Sequence, residues 1–99
     1  MIIGQHLREL REEKGLLLRQ VAAFLEVDTA YISKIERGEK NIKREFILKL
    51  AELYNTNIEE MLILWLADQL FDLVKNEELG LKALKVTELE LLKISNNQH

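Results

Sequence analysis

The chain has 99 residues, 47% apolar and 31% charged, with no cysteine, no proline and a formal net charge of −3. That length suits one small globular domain with its own core, and the absence of thiols excludes a disulfide framework and a thiolate metal centre. The longest unbroken apolar run, Met61–Ala67, is too short to cross a bilayer, and no signal-peptide pattern opens the chain, so a cytoplasmic protein without a membrane role is expected.

In chain order, Ile3 to Lys14 reads as a first helix with Ile3, Leu7 and Leu10 inward and Arg8, Glu9, Glu12 and Glu13 outward, closed by Gly15. His6 lies on its polar side and reads as an exposed surface residue. A second helix follows from Gln20 to Leu25, with Val21, Ala22 and Leu25 on one face. Three residues later a third helix runs from Thr29 to Glu36, burying Ile32 and Ile35. Asp28 is its N-cap, with a carboxylate able to accept from the amides of Ala30 or Tyr31. Val27 and Ile32 form a hydrophobic staple, and Gly38 supplies the left-handed C-terminal cap. Two short helices joined by a tight connection form a helix-turn-helix pattern.

Glu39 to Lys43 reads as a polar loop before a fourth helix, Arg44 to Tyr54, whose Phe46, Ile47, Leu50, Ala51 and Leu53 supply core and which Asn55 ends. Asn57 with Glu60 three residues on starts a long helix from Ile58 to about Lys75. Its Ile58, Met61, Leu62 and Trp65 make an ordinary inward stripe, but Ile63, Leu64, Leu66 and Ala67 fill the other faces, and Leu70, Phe71 and Val74 extend the excess. One small domain cannot cover so much apolar surface. Asn76, followed by Glu77 and Glu78, is expected to cap a last helix to about Ile94, which carries Leu79, Ala83, Val86 and Leu89 on one stripe and Leu81, Leu84, Leu91 and Leu92 beside it. These last two helices read as a homodimerisation unit built on Leu64, Leu66, Leu70, Phe71, Val74, Leu81 and Leu84, against the alternative of an intramolecular hairpin folded back on the preceding helices. The polar tail, residues 95–99, is expected to fray.

The charge is unevenly divided. Residues 1–50 carry ten Lys/Arg against eight Asp/Glu, a balance of +2, whereas residues 51–99 carry four against nine, a balance of −5. Lys34, Arg37, Lys40, Lys43 and Arg44, against Glu36 and Glu39, cluster beside the third helix; alone they read as a solvated charged loop, but next to a helix-turn-helix the local excess reads as the footprint of a nucleic-acid surface. An enzyme is not expected: His6 and His99 have no partner for a metal, no glycine-rich loop cradles a phosphate, and the carboxylates are spread as solubilising charge. Neither a cofactor nor a small-molecule ligand is implied.

Residues 3–62 resemble the helix-turn-helix domain of phage repressors and Cro proteins, the xenobiotic-response-element-type (XRE) group of bacterial regulators. The matching residues are Ile3-Gly4 and Leu7-Arg8-Glu9-Leu10-Arg11, then Val21-Ala22 and Leu25, then Tyr31-Ile32-Ser33-Lys34-Ile35-Glu36-Arg37-Gly38, and finally Leu50-Ala51. The resemblance implies an all-α fold: a five-helix repressor-like domain over residues 1–65 and a C-terminal helical dimerisation extension over 66–99. It implies a third helix lying in the major groove of double-stranded DNA. Carried over by position, Thr29, Ala30, Ser33 and Lys34 read bases with Tyr31 at the groove edge, and Arg37, Lys40, Asn41, Lys43 and Arg44 hold phosphates. It also pairs Arg11 with Glu36 as an architectural salt bridge.

Two departures stand out. Leu17 and Leu18 replace the usual Ser/Thr cap and phosphate-binding Gln, which predicts a weakly capped second helix and moves the phosphate contact to Arg19 or Gln20. Glu26 replaces a common turn glycine, leaving either a strained left-handed residue or a turn of different shape. The function expected is a homodimeric transcriptional regulator on a palindromic operator, with a restriction–modification controller, an autoregulating antitoxin and a phage-type repressor all open. The competing class is a protein-interaction module that keeps this fold and binds another protein through its C-terminal helices.

Overall fold

The computed structural model describes residues 2–97, and its regular structure is α-helical: α1 (Ile2–Glu13), α2 (Leu18–Leu25), α3 (Thr29–Glu36), α4 (Arg44–Leu53), α5 (Ile58–Val74) and α6 (Gly80–Asn96). The helices form two compact units, Met1–Gln69 and Leu70–His99, with the division inside α5.

In the first unit, one device ends each of the first four helices. Gly15, Glu26, Gly38 and Asn55 all adopt positive φ, at 69°, 58°, 76° and 50°. Past each of them an N–H reaches the carbonyl five residues back: Leu16 to Arg11 (3.0 Å), Val27 to Ala22 (3.0 Å), Glu39 to Lys34 (2.8 Å) and Thr56 to Ala51 (3.0 Å). This is the Schellman closure, which satisfies carbonyls that a helix end leaves orphaned. Glycine and asparagine take the left-handed conformation readily. At Glu26 it costs about 1 kcal/mol, so the strained form of the turn is the one this chain adopts.

The helix starts correct the sequence reading. Asp28 does occupy the N-cap of α3, but its carboxylate accepts no capping hydrogen bond; the Tyr31 N–H goes instead to the Asp28 backbone carbonyl at 3.0 Å. Gln20 N–H to Leu17 O (3.0 Å) and Phe46 N–H to Lys43 O (3.1 Å) repeat this bond at α2 and α4. A tightened first turn satisfies one orphan amide without a side chain, which is how leucine and lysine can stand at N-caps. α2 accordingly begins at Leu18 rather than Gln20, and the Gln20 side chain accepts the Leu17 N–H at 2.8 Å. Asn57 caps α5 as expected, its side chain accepting the Glu60 N–H at 2.9 Å.

The core joins Ile3 and Leu7 of α1, Val21, Ala22 and Leu25 of α2, Ile32 and Ile35 of α3, Ile47, Leu50 and Ala51 of α4, and Ile42, Tyr54 and Met61. Burial pushes the Tyr54 phenol far above its ordinary range, so it stays neutral. Half-buried His6, read from sequence as exposed, borders a depression with Glu60, Ile63 and Leu64, since α5 passes beside it.

Asp68 has a role the sequence reading did not assign. It is 2% exposed, and its two carboxylate oxygens accept the Ile2 N–H at 2.8 Å and the Ile3 N–H at 2.6 Å. A carboxylate on α5 thus caps α1 and complements its dipole. Asp68→Ala is expected to cost about 3 kcal/mol, because it removes charged hydrogen bonds and leaves a buried amide unpaired. Asp68→Asn should recover part of that loss through its one remaining carbonyl oxygen. Urea denaturation of the two variants tests this, and an unchanged midpoint in Asp68→Ala contradicts it.

In the second unit, α6 starts at Gly80, four residues after the expected cap Asn76. Lys75 N–H to Phe71 O (2.7 Å), Glu77 N–H to Val74 O (2.9 Å) and Gly80 N–H to Glu77 O (3.1 Å) knit a turn, which places Glu77 and Glu78 outside the helix. Close packing sets this start: a Cβ on residue 80 would lie 2.9 Å from the Val74 carbonyl oxygen and 3.1 Å from Val74 Cβ. α6 continues to Asn96, so Ser95 and Asn96, expected to fray, are helical; Gln98 and His99 lie outside the described residues.

Candidate nucleic-acid interface

α3 turns Ile32 and Ile35 into the core, which leaves Thr29, Ala30 and Lys34 exposed on its outer side with Ser33 half-buried between them. Four proposed base readers therefore share one face. Tyr31 differs. Its half-buried ring meets Phe46 edge-on at 5.9 Å, Lys40 Nζ sits 5.1 Å over it, and burial pushes the phenol above its ordinary value. The ring ties α3 to α4 and to the basic segment, so Tyr31 is not presented on the outer face as the other four are.

The base of α3 is held to α1 by the expected ion pair. Arg11 Nε and Nη2 donate to the two Glu36 carboxylate oxygens at 2.9 and 3.1 Å, and Arg11 Nη1 donates to the Leu16 carbonyl at 2.9 Å. The side chains are 13% and 5% exposed. Hydrogen bonding to Glu36 holds the Arg11 guanidinium above its ordinary value, against the opposing effect of burial.

The basic segment after α3 is more structured than its polar composition suggests. Ile42 is buried in the core, and its carbonyl accepts the Trp65 Nε1–H at 2.7 Å. The loop between α3 and α4 is thus pinned near its end, just before α4, and the exposed Lys40, Asn41 and Lys43 flank that anchor. The Arg44 guanidinium lies 5.9 Å from the Trp65 ring centroid, a cation–π arrangement. Arg37 donates through Nη1 to Ser33 Oγ at 2.6 Å and through Nε to Glu39. Neither the Ile42 and Trp65 anchor nor the engagement of Arg37 was assigned from sequence; the one available signal was an isolated isoleucine in a polar run. Arg19 and Gln20 are exposed at the start of α2, though the Gln20 carbonyl oxygen is engaged by Leu17.

Among the residues assigned to dimerisation, Leu66, Leu70, Phe71 and Leu81 are exposed, Leu81 to 78%. Val74 and Leu84 are half-buried, and Leu64 packs against the core of the first unit. No helix among the described residues is long and apolar enough to cross a membrane.

Comparison with known proteins agrees with this geometry. A family model described as a helix-turn-helix domain matches residues 2–62. The HTH-type transcriptional regulator DdrOP3 of Deinococcus deserti is 36% identical over 62 residues, 63% of this chain and 48% of that protein. The HTH-type transcriptional repressor RghR of Bacillus subtilis is 46% identical over 50 residues, 50% of this chain and 37% of that protein. The chain thus spans less than half the length of these relatives. Among solved structures, the restriction-modification controller protein C.AhdI of Aeromonas hydrophila aligns with a TM-score of 0.55 at 39% identity, covering 60% of this chain and 89% of that one. With the family model covering more than half of its length and the α2–α3 geometry in place, the chain belongs to the helix-turn-helix domain family, in its repressor- and Cro-like, XRE-type group.

Proposed function

We propose that the chain is a sequence-specific, DNA-binding transcriptional regulator that acts as a homodimer on a palindromic operator. The observation that carries this is the juxtaposition of the exposed Thr29, Ala30 and Lys34 face with a basic loop whose backbone Ile42 and Trp65 hold in place, in a chain of net charge −3. Positive charge is concentrated where a recognition helix is presented. Lys34 donates to guanine O6 or N7, and the Thr29 and Ala30 methyl groups touch a thymine methyl. Lys40, Asn41, Lys43 and Arg44, together with Arg19, Gln20 and Arg37, hold phosphates and set the register.

The homodimer rests on the exposed apolar residues Leu70, Phe71 and Leu81 of the second unit. A twofold pair of α3 helices then enters successive major grooves about one helical turn apart. Likeness to C.AhdI supports a restriction-modification controller within this class. The same exposed apolar residues favour a second reading, an antitoxin or interaction module that binds a protein through these helices.

Selection of duplexes from a random library separates the two. A regulator enriches a symmetric motif, and the protein sediments as a dimer at micromolar concentration; a library without enrichment contradicts the proposal. On the selected duplex, Lys34→Ala should weaken binding roughly 30-fold and relax the preference at one base pair in each half-site. On random sequence its effect should be much smaller, and equal losses on both duplexes remove Lys34 from base reading.

A further inference from the structure

Five cations lie between Lys34 and Arg44, and the structure engages three of them differently. Lys40 rests over the Tyr31 ring and Arg44 beside the Trp65 ring, neutral partners that leave the positive charge in place. Arg37 is instead held by the Glu39 carboxylate and by Ser33 Oγ. Both members of that ion pair are more than half exposed, at 54% and 55%. They are accessible to a larger anion, and a surface pair of this kind is weak enough to exchange. The same bridge engages the Ser33 hydroxyl oxygen, which belongs to the outer face of α3.

We infer that Glu39 is a resident stand-in for a DNA phosphate: it occupies Arg37 and, through it, Ser33 in the free protein, and a phosphate must displace it on binding. This rests on the DNA-binding reading above. Glu39 thereby lowers the sequence-independent affinity without touching a base, because the contact it competes with is to the backbone. The cost falls alike on every duplex, so it lowers overall affinity and leaves discrimination to the base-reading face of α3.

The test measures affinity for a short duplex of random sequence by fluorescence anisotropy in wild type, Glu39→Gln, Arg37→Ala and the double variant, at salt between about 50 and 200 mM. Glu39→Gln should tighten binding about threefold, the exchange value of an exposed pair, and most of that gain should vanish in the Arg37→Ala background. In the free protein, the Arg37 Nε–H resonance should move on Glu39→Gln. Equal gains in both backgrounds mean that Glu39 acts only through bulk charge and overturn the inference. Weaker binding by Glu39→Gln overturns it too, since Glu39 would then be positioning Arg37 for the phosphate, and an unmoved resonance shows that the pair is absent in solution. A wild type that binds no duplex at the lowest salt removes the DNA-binding reading, a result distinct from a wild type that binds normally but shows no coupling between positions 37 and 39.

Discussion

Replacing Arg11 with alanine is expected to cost about 3–5 kcal/mol of folding stability and to abolish DNA binding as a consequence. The guanidinium spans two elements at once, donating twice to Glu36 and once to the Leu16 carbonyl. Glu36 is 5% exposed, so the truncation strands a buried carboxylate that water cannot easily reach. The small domain has roughly 5–15 kcal/mol in all, so such a loss populates unfolded chain at ordinary temperatures. Glu36 also immediately precedes Arg37 and the left-handed Gly38, so its anchoring positions the start of the basic loop. The double replacement Arg11→Met with Glu36→Leu should recover much of the stability, because no charge is then left buried without a partner. Urea denaturation of the three chains decides it: a wild-type midpoint in Arg11→Ala contradicts the assignment, as does a double variant no more stable than the single one.

What the sequence revealed depended on how local each signal was. The bounds of α3 are legible because nearby residues mark both ends, Asp28 at the N-cap position and Gly38 after it, and the i, i+3 spacing of Ile32 and Ile35 fixes its inward face. The exposed members of the candidate surface followed from the same periodicity. The start of α6 is not legible for the opposite reason: Asn76, Glu77 and Glu78 carry a plausible local cap, but the helix begins at Gly80, where close packing on Val74 leaves no room for a Cβ. An isoleucine in a polar run hints that Ile42 is buried, but the partners of Asp68 and Ile42 are not legible, since one caps an amide 65 positions away and the other offers its carbonyl to an indole 23 positions away. The Arg37 and Glu39 pair is local, yet a run of alternating charges reads equally well as solvated surface. Side-chain partners, rather than helix positions, were what the pattern concealed.

Gly4→Ala should be the most disruptive small substitution in the first unit, with a loss of about 3 kcal/mol, the upper part of the range for overpacking. A Cβ at that position would stand 2.3 Å from the Ile35 carbonyl oxygen and 3.1 Å from that of Glu36. Both obstacles are backbone, so no rotamer change relieves the clash, and α3 must move away from α1. The better helix propensity of alanine offsets only about 1 kcal/mol. That displacement acts on the residues that hold α3, because Glu36 is the partner of Arg11 and Ile35 is buried beside it. Gly15→Ala provides the contrast: nothing lies within 4 Å of its Cβ, but its φ of +69° penalises any side chain by roughly 1–2 kcal/mol. Gly15→Asn should restore part of that loss, since asparagine tolerates the left-handed region, as Asn55 does here at φ 50°. At Gly4 asparagine should be worse than alanine, because the obstacle there is space and not torsion. Thermal melts of the four variants separate the two causes: if asparagine proves the milder replacement at both positions, the close approach of α1 to α3 is not what constrains Gly4.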